Sequence, residues 1–177
     1  EIPLVVVSSL TALALRGAPQ TQRSNKTDPP TIVFGCLDAR RGEIYFSGLT
    51  DLDRLPPKTV VCEQTLAPEG LVSLLNSAVC APFKRALFLG TGLGWVRRVL
   101  AAERGKKNPA KIRLTLDLTE NLDPWPDAGW LARLAAAQLA RNEVADLQWS
   151  QPTYLRPSDA EKNFAVDLSP QKPTDPK

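Results

Sequence analysis

The sequence predicts one α/β domain in which helices flank a mixed β-sheet. Two short apolar runs, residues 32–37 and 86–89, are typical of strands buried on both faces. Segments with helical periodicity follow the strands in the second half of the chain, as expected for alternating layers of strands and helices. A length of 177 residues is enough for one domain with a substantial core.

Composition excludes several classes of function. There is no histidine, so mechanisms that need an imidazole base or an imidazole metal ligand are excluded. The net charge is +3, and we see no basic stripe interleaved with aromatic residues, so charge does not indicate direct nucleic-acid binding. No apolar run is long enough to span a bilayer. Cys36, Cys62 and Cys80 lie in apolar segments without disulfide or zinc spacing, which predicts reduced core thiols in a cytoplasmic protein.

A predicted β-hairpin over residues 32–49 organises the rest of the chain. Its arms are residues 32–37 and 44–49, and the second arm contains Tyr45 and Phe46, both good strand formers. Residues 38–43 fit a type I turn closed by Gly42 at positive φ, a conformation that costs glycine little.

The predicted turn carries a dense cluster of charge. Asp38 and Glu43 are expected to face each other at the mouth of the hairpin, with Arg40 and Arg41 between them. Such a group could bind a metal, a phosphate or a substrate hydroxyl. From the residues alone we favour a solvated turn in which Asp38 bonds its own backbone.

The segments before the hairpin predict a strand, a helix and a loop. Residues 4–7 are predicted to form a central strand, and Ser8 or Ser9 is predicted to cap a helix over residues 10–15. Gly17 is expected to end that helix. Residues 18–30 are polar and rich in proline, which predicts a surface loop.

After the hairpin, strands and helices alternate. Residues 59–62 and 86–89 predict a third and a fourth strand, and residues 112–114 predict a fifth strand at an edge. Between the third and fourth strands, Thr65 is expected to cap a helix that has Pro68 in its first turn. The predicted buried face of that helix comprises Leu71, Leu74, Leu75 and Ala78.

Glycines at positions 90, 92 and 94 lie between the fourth strand and the next predicted helix, which is expected to begin near Trp95. A phosphate-binding turn occupies this place in nucleotide-binding folds. However, Trp95 stands where the dinucleotide fingerprint needs its third glycine, and the Gly-Lys-Ser/Thr of a phosphate loop is absent. We therefore favour a tight turn whose glycines let two backbones pass closely.

The last predicted helix covers residues 128–144, with Trp130, Leu131, Leu134 and Gln138 on one side. Trp125 and Trp130 are predicted core anchors. Residues 1–156 are predicted to form a single lobe, and the polar residues 157–177 a disordered tail. Three strands in a meander followed by alternating strands and helices is the ribonuclease H-like plan, which is one half of the actin and sugar-kinase fold.

Several motifs resemble, in the same order, those of the bacterial TsaB (YeaZ) family. The most specific are Asp-Ala-Arg-Arg-Gly-Glu at residues 38–43 and Pro-Thr-Tyr-Leu-Arg at residues 152–156. Ile-Pro at 2–3, Val-Ser-Ser-Leu at 7–10, Leu-Ala-Pro-Glu at 66–69 and Leu-Gly-Thr-Gly at 89–92 also match. The matches run from Ile2 to about residue 156. The resemblance is to the C-terminal lobe alone, since the glycine-rich N-terminal half of the family is missing.

The resemblance implies a non-catalytic role in tRNA modification. TsaB proteins are actin-like paralogues of the enzyme TsaD, and with the ATPase TsaE they scaffold and activate TsaD in threonylcarbamoyladenosine synthesis. We therefore expect no catalytic residue, metal or cofactor, and a cytoplasmic protein that does not bind membranes. TsaD and TsaE homologues are the expected partners of the full-length protein, and tRNA is expected to be contacted only indirectly. Homodimerisation is expected to need the missing N-terminal half.

The resemblance also suggests that Asp38, Arg40, Glu43 and Tyr45 form a partner-binding surface. Two enzymatic alternatives remain: the lobe of an actin-like kinase, or that of a glycoprotease-like hydrolase. A kinase of this fold takes acidic residues from two lobes, and a metal site here would depend on carboxylates such as Asp38, Glu43 and Asp117. A third alternative is an interaction module that binds through Arg40, Tyr45 and the tail.

Overall fold

The centre of the fold is a five-stranded sheet with the strand order β3-β2-β1-β4-β5. The computed structural model describes residues 2–22, 29–146, 150 and 155. The strands are β1 (Thr31–Asp38), β2 (Ile44–Thr50), β3 (Lys58–Leu66), β4 (Arg85–Leu89) and β5 (Thr115–Leu118). The helices are α1 (Ser9–Leu15), α2 (Ala18–Gln22), α3 (Pro68–Leu75), α4 (Leu93–Arg104) and α5 (Ala128–Ala140).

The pairing of the strands confirms the predicted hairpin and the ribonuclease H-like plan. β1 and β2 pair antiparallel, as do β2 and β3, which gives the three-stranded meander. β4 lies parallel to β1, and β5 lies parallel to β4, as expected where a helix connects successive strands. The sheet is therefore mixed, with β3 and β5 at its two edges.

Helices α3 and α4 cover one face of the sheet. Phe34, Phe46 and Phe88 come from three neighbouring strands and are fully buried there. The ring centroids of Phe34 and Phe46 are 4.7 Å apart, and those of Phe34 and Phe88 are 5.0 Å apart. Leu71 of α3 and Val96 of α4 complete the same core. Alternation along β1 places Phe34 on this face and Val33 on the other.

Helices α1 and α5 cover the opposite face of the sheet. Leu13 and Leu15 of α1 are fully buried against Val33 and Leu87, and Leu134 is the buried residue of α5. Ser8 caps α1 as predicted, since its side chain accepts a hydrogen bond from the backbone N–H of Thr11. The two helical layers explain why β1 is apolar at successive positions.

Several predictions at the ends of elements are wrong. Residues 4–7 do not join the sheet, because only Leu4 makes an antiparallel bridge, to Ala145. The fifth strand begins at Thr115, after the predicted residues 112–114. That prediction is wrong because Ile112 and Leu114 pack into the core without belonging to the strand. The predicted loop 18–30 begins with α2, and its residues 23–28 lie outside those described.

The capping predictions have mixed outcomes. Thr65 does not cap α3, because it belongs to β3, and Ala67 precedes the helix instead. Pro68 is in the first turn as predicted. The last helix ends four residues early, because Asn142 adopts a left-handed conformation with φ 57°. Its N–H and that of Glu143 bond carbonyls of the last turn, as in a Schellman motif.

Three burial predictions fail because the residues lie at margins of the core. Trp125 is 62% exposed, in the turn before α5, whereas Trp130 packs against the core as predicted. Ala78 is exposed because α3 ends at Leu75. Cys62 is exposed on the edge strand β3, next to the buried Val61, while Cys36 and Cys80 are buried as predicted. The predicted extended piece 152–156 and the predicted tail lie outside the described residues, apart from Leu155.

The glycine turn after β4 passes directly over the end of β1. Gly90 has φ 115°, and a Cβ at this position would lie 2.2 Å from the carbonyl oxygen of Cys36. The backbone N–H of Gly92 donates to that same oxygen at 3.0 Å. The structure therefore supports the interpretation of this turn as a close passage of two backbones.

Gly90→Ala should lower the free energy of unfolding by about 2–4 kcal/mol, because it adds both backbone strain and a clash with main chain. Gly94→Ala is the matched control, since the nearest atom to its Cβ is the end of Arg98 at 4.0 Å. The control should leave stability unchanged or raise it by up to about 1 kcal/mol. Urea titrations measure both, and equal stabilities would contradict the close passage.

Candidate functional site

The tip of the β1–β2 hairpin has an uncommon backbone conformation. Arg40, Arg41 and Gly42 have φ angles of 59°, 54° and 81°. The N–H of Glu43 donates to the carbonyl of Arg40 at 3.1 Å, which closes the turn around Arg41 and Gly42. Positive φ at both central residues is the property of a type I′ turn. Gly42 therefore adopts the predicted positive φ, but the predicted type I turn is wrong.

Asp38 stabilises the turn. Its carboxylate accepts a hydrogen bond from the backbone N–H of Arg40 at 2.8 Å, and its own N–H donates to the hydroxyl of Thr91 at 3.0 Å. The register pairs Asp38 with Ile44, and Ala39 donates to the carbonyl of Glu43. Asp38 and Glu43 are thus not opposite each other as predicted, and the carboxylate of Asp38 bonds its own backbone.

The hairpin tip is also fixed by α4. The indole N–H of Trp95, which is 5% exposed, donates to the carbonyl of Gly42 at 2.5 Å. Since Thr91 holds the base of the turn, two contacts from the segment after β4 position it. The side chain of Arg40 projects into solvent from this fixed backbone, and Glu43 is half-buried.

Tyr45 lies apart from the tip. It follows the buried Ile44 on β2 and lines an open cleft of about 760 Å³ on the α1 side of the sheet. Ser8 and Glu63 also line this cleft, and the hydroxyl of Ser8 donates to the carboxylate of Glu63. The four candidate residues therefore form two groups, with Asp38, Arg40 and Glu43 at the tip and Tyr45 in the cleft.

A second open groove, of about 660 Å³, lies between the hairpin tip, α3 and α4. Val72, Val99 and Trp95 contribute its apolar wall, and Arg98 and Lys106 stand among its lining residues. Sequence reasoning missed this groove, because it arises from the packing of two helices and a turn that are distant in sequence. The one signal for it was the helical spacing of apolar residues on α3 and α4.

The buried thiols are poor nucleophiles. Burial raises the pKa of the Cys36 thiol far above its usual value, so it remains protonated. Burial also raises the pKa of Cys80, against a smaller opposing effect of a hydrogen bond with Ser77. Neither cysteine has the electropositive, accessible surroundings of a reactive thiolate.

The carboxylates considered for a metal site are not brought together. Asp117 of β5 forms an ion pair with Arg85 of the neighbouring strand β4, with 2.5 Å between Oδ2 of Asp117 and Nε of Arg85. Within the described residues there is no group of three or more His, Cys, Asp or Glu side chains that could hold a metal ion. The helices of the described part of the chain also lack the length and hydropathy of a membrane-spanning segment.

Comparisons with known proteins find likeness in structure. No family model matches the chain, and no curated protein matches it. YeaZ from Pseudomonas aeruginosa superposes with a TM-score of 0.56 and 25% identity, over 86% of this chain and 59% of that one. An uncharacterised Pseudomonas aeruginosa protein with similarity to peptidase YeaZ has the same score and identity, over 87% and 59%. This chain therefore spans 59% of the length of the structures it matches.

Gly42 offers a direct test of the turn. Its Cβ would meet nothing within 4 Å, so a substitution acts through backbone conformation alone. Gly42→Val should lower the free energy of unfolding by about 1–3 kcal/mol, because a β-branched residue is strained at φ 81°. Gly42→Asn should cost much less, because Asn tolerates this region. Thermal and urea unfolding compare the two, and equal losses would rule out the turn described above.

Proposed function

We propose that this chain acts as a non-catalytic scaffold of tRNA threonylcarbamoyladenosine synthesis. The two matching structures confirm its resemblance to the TsaB (YeaZ) family. Its partners in this proposal are homologues of TsaD and TsaE, which it engages as the full-length protein in the cytoplasm. The activity of the whole machinery is carried by TsaD, and this chain contributes a binding surface.

The structural match along 87% of the chain carries this proposal. It is supported by the agreement between the matching fold and the Asp-Ala-Arg-Arg-Gly-Glu motif at residues 38–43, which forms the tip of the central hairpin. Asp38 and Gly42 of this motif have structural roles, since they bond the turn and supply its positive φ. Arg40 is exposed, and its side chain is therefore open to a partner.

The chemistry of the described residues favours binding over catalysis. One of the two matching structures is a protein with similarity to peptidase YeaZ, which makes a hydrolase the second candidate. However, the chain has no histidine, and its two buried cysteines have raised pKa values. Asp38, the carboxylate at the end of the central strand, accepts a backbone N–H of its own turn, which gives it a structural role.

Arg40→Ala should leave the melting temperature nearly unchanged and lower the yield of threonylcarbamoyladenosine in a reconstituted system. Stability should change by no more than about 0.5 kcal/mol, because Arg40 is exposed and alanine adds no atom to the turn. The yield should fall because the proposed surface loses a charge that faces TsaD. The assay uses the complete open reading frame that encodes this chain, together with TsaD, TsaE and tRNA.

Arg54→Ala is the matched control for Arg40→Ala. Arg54 is also exposed, but it lies in the connection between β2 and β3, at the opposite end of β2 from the hairpin tip. It should change neither yield nor TsaD binding. If Arg40→Ala and Glu43→Ala both leave yield and TsaD binding at the wild-type level, the hairpin tip has a structural role only.

The purified chain should show no ATP hydrolysis and no peptidase turnover above the blank. The physical reason is that no imidazole base and no Gly-Lys-Ser/Thr phosphate loop occurs in the sequence. Malachite-green phosphate release and cleavage of a fluorogenic peptide measure the two activities. A turnover that disappears in Asp38→Ala would establish an enzyme and overturn the scaffold proposal.

A further inference from the structure

The whole-chain net charge hides an uneven distribution of charge. Residues 97–113 contain seven lysines and arginines and one glutamate, a local charge of +6 in a chain whose total is +3. The other 160 residues therefore carry a net charge of −3. This basic segment, residues 97–113, comprises the second half of α4 and the extended chain that leads to the edge strand β5.

A buried carboxylate holds the basic segment in place. Glu103 is only 7% exposed, and its oxygens accept hydrogen bonds from the backbone N–H of Ala110 at 2.8 Å and from Lys106 at 2.5 Å. The Ala110 amide, followed by the Lys106 ammonium, lowers the pKa of Glu103, which favours its charged form. The only acid of the segment thus clamps the chain after α4 against the helix.

Most cations of the segment have no carboxylate partner. Arg97 pairs with Glu120, and Lys106 pairs with Glu103. The other five are exposed, and among the described residues no ion pair or hydrogen bond engages their side chains: Arg98, Arg104, Lys107, Lys111 and Arg113. Lys84 is also exposed. It lies beside the end of the segment, because its carbonyl accepts a hydrogen bond from the N–H of Thr115. The outer surface of α4 and the extended chain that leads to the edge strand β5 therefore carry unneutralised positive charge.

The chemistry of this surface fits a phosphate backbone better than a membrane or a protein. The large exposed apolar side chains of the described residues all lie outside the segment, so nothing in it could insert into lipid. Protein interfaces need a desolvated centre that is poor in charge and rich in aromatic residues. Trp95, the aromatic residue nearest to the segment in sequence, is 5% exposed. Binding to phosphates needs only accessible Lys and Arg.

The same surface favours a double helix over a single strand. Proteins that bind single strands stack the bases on exposed aromatic side chains, and residues 97–113 contain no aromatic residue. Lys and Arg side chains without neighbouring aromatic residues can bind the phosphates of a duplex whose bases remain paired. Recognition of this kind depends on backbone position and carries little sequence information.

We propose that the basic segment, residues 97–113, binds the phosphate backbone of double-helical RNA. The choice of RNA over DNA rests on the proposed function in tRNA modification. The resemblance implied that tRNA is contacted only indirectly; this proposal departs from that expectation because the whole-chain charge conceals the basic segment. The unpaired cations of α4 and of the chain that leads to β5 would contact several phosphates and release their counterions.

The test compares two charge reversals of equal size on opposite edges of the sheet. Lys107→Glu with Lys111→Glu changes the basic segment, and Arg54→Glu with Lys58→Glu changes exposed cations in and beside β3 at the other edge. Each pair of substitutions lowers the net charge by four. Fluorescence anisotropy measures the Kd of this chain for a labelled 20-base-pair RNA duplex over a series of salt concentrations.

For the wild-type chain, log Kd should rise with log salt with a slope of about 4. Reversal in the basic segment should raise Kd by at least about tenfold at low salt and lower the slope by about 2. The β3-edge control should raise Kd by less than about threefold, since it changes only the long-range field. Lys107→Gln with Lys111→Gln, which leaves only uncharged side chains, should give a weakening of intermediate size.

Three results would overturn the proposal. One is an equal loss of affinity in both charge-reversed variants, which would mean that net charge alone acts. Another is tighter binding to single-stranded RNA of equal length than to the duplex. The third is binding to phosphatidylserine vesicles or to an acidic protein without binding to the duplex. Unchanged melting temperatures of the variants establish that folding is not the cause of any loss.

A separate measurement distinguishes this inference from the proposed function. Lys107→Glu with Lys111→Glu, placed in the complete open reading frame, should co-purify with TsaD as the wild-type protein does. Failure of the wild-type protein to bind TsaD would reject the scaffold proposal without affecting the duplex titration. Failure of the duplex titration with intact TsaD binding would reject the basic segment as an RNA surface alone.

Discussion

The burial of β1 on both of its faces is the constraint on which the rest of the structure depends. Phe34 requires a helical layer on one side of the sheet, and Val33 requires another on the opposite side. β1 is therefore the middle strand, with the antiparallel β2 on one side and the parallel β4 on the other. The hairpin tip, which carries Arg40, lies at one end of this layered core.

The C-terminal end of β1 joins the fold to the proposed partner surface. The carbonyl of Cys36 accepts the N–H of Gly92, Thr91 accepts the N–H of Asp38, and Trp95 donates to the carbonyl of Gly42. These three bonds tie the hairpin tip to one short segment after β4. A surface supported in this way is preorganised, so binding loses less conformational entropy than it would with a free loop. The structural and binding roles of the motif are thus compatible.

Different regions of the chain carry the two proposed surfaces. The hairpin tip displays Arg40 at the end of the central strand, whereas the basic segment comprises the second half of α4 and the chain that leads to β5. Each region contains a carboxylate that accepts a backbone hydrogen bond: Asp38 in the hairpin tip and Glu103 in the basic segment. The two proposals together assign one binding surface to each of these regions.

The sequence by itself determined the fold class and the hairpin, because these depend on the local pattern of apolar residues. It also determined the cap of α1 at Ser8 and the positive φ of Gly42, because these depend on the properties of single residues. It could not determine that residues 4–7 stay outside the sheet, nor that Asp38 pairs with Ile44, because register and strand membership depend on partners distant in sequence. The separation of Tyr45 from the hairpin tip was likewise decided by tertiary structure, since residues before and within α1 and Glu63 of β3 build the cleft of Tyr45, whereas α3 and α4 build the groove beside the tip.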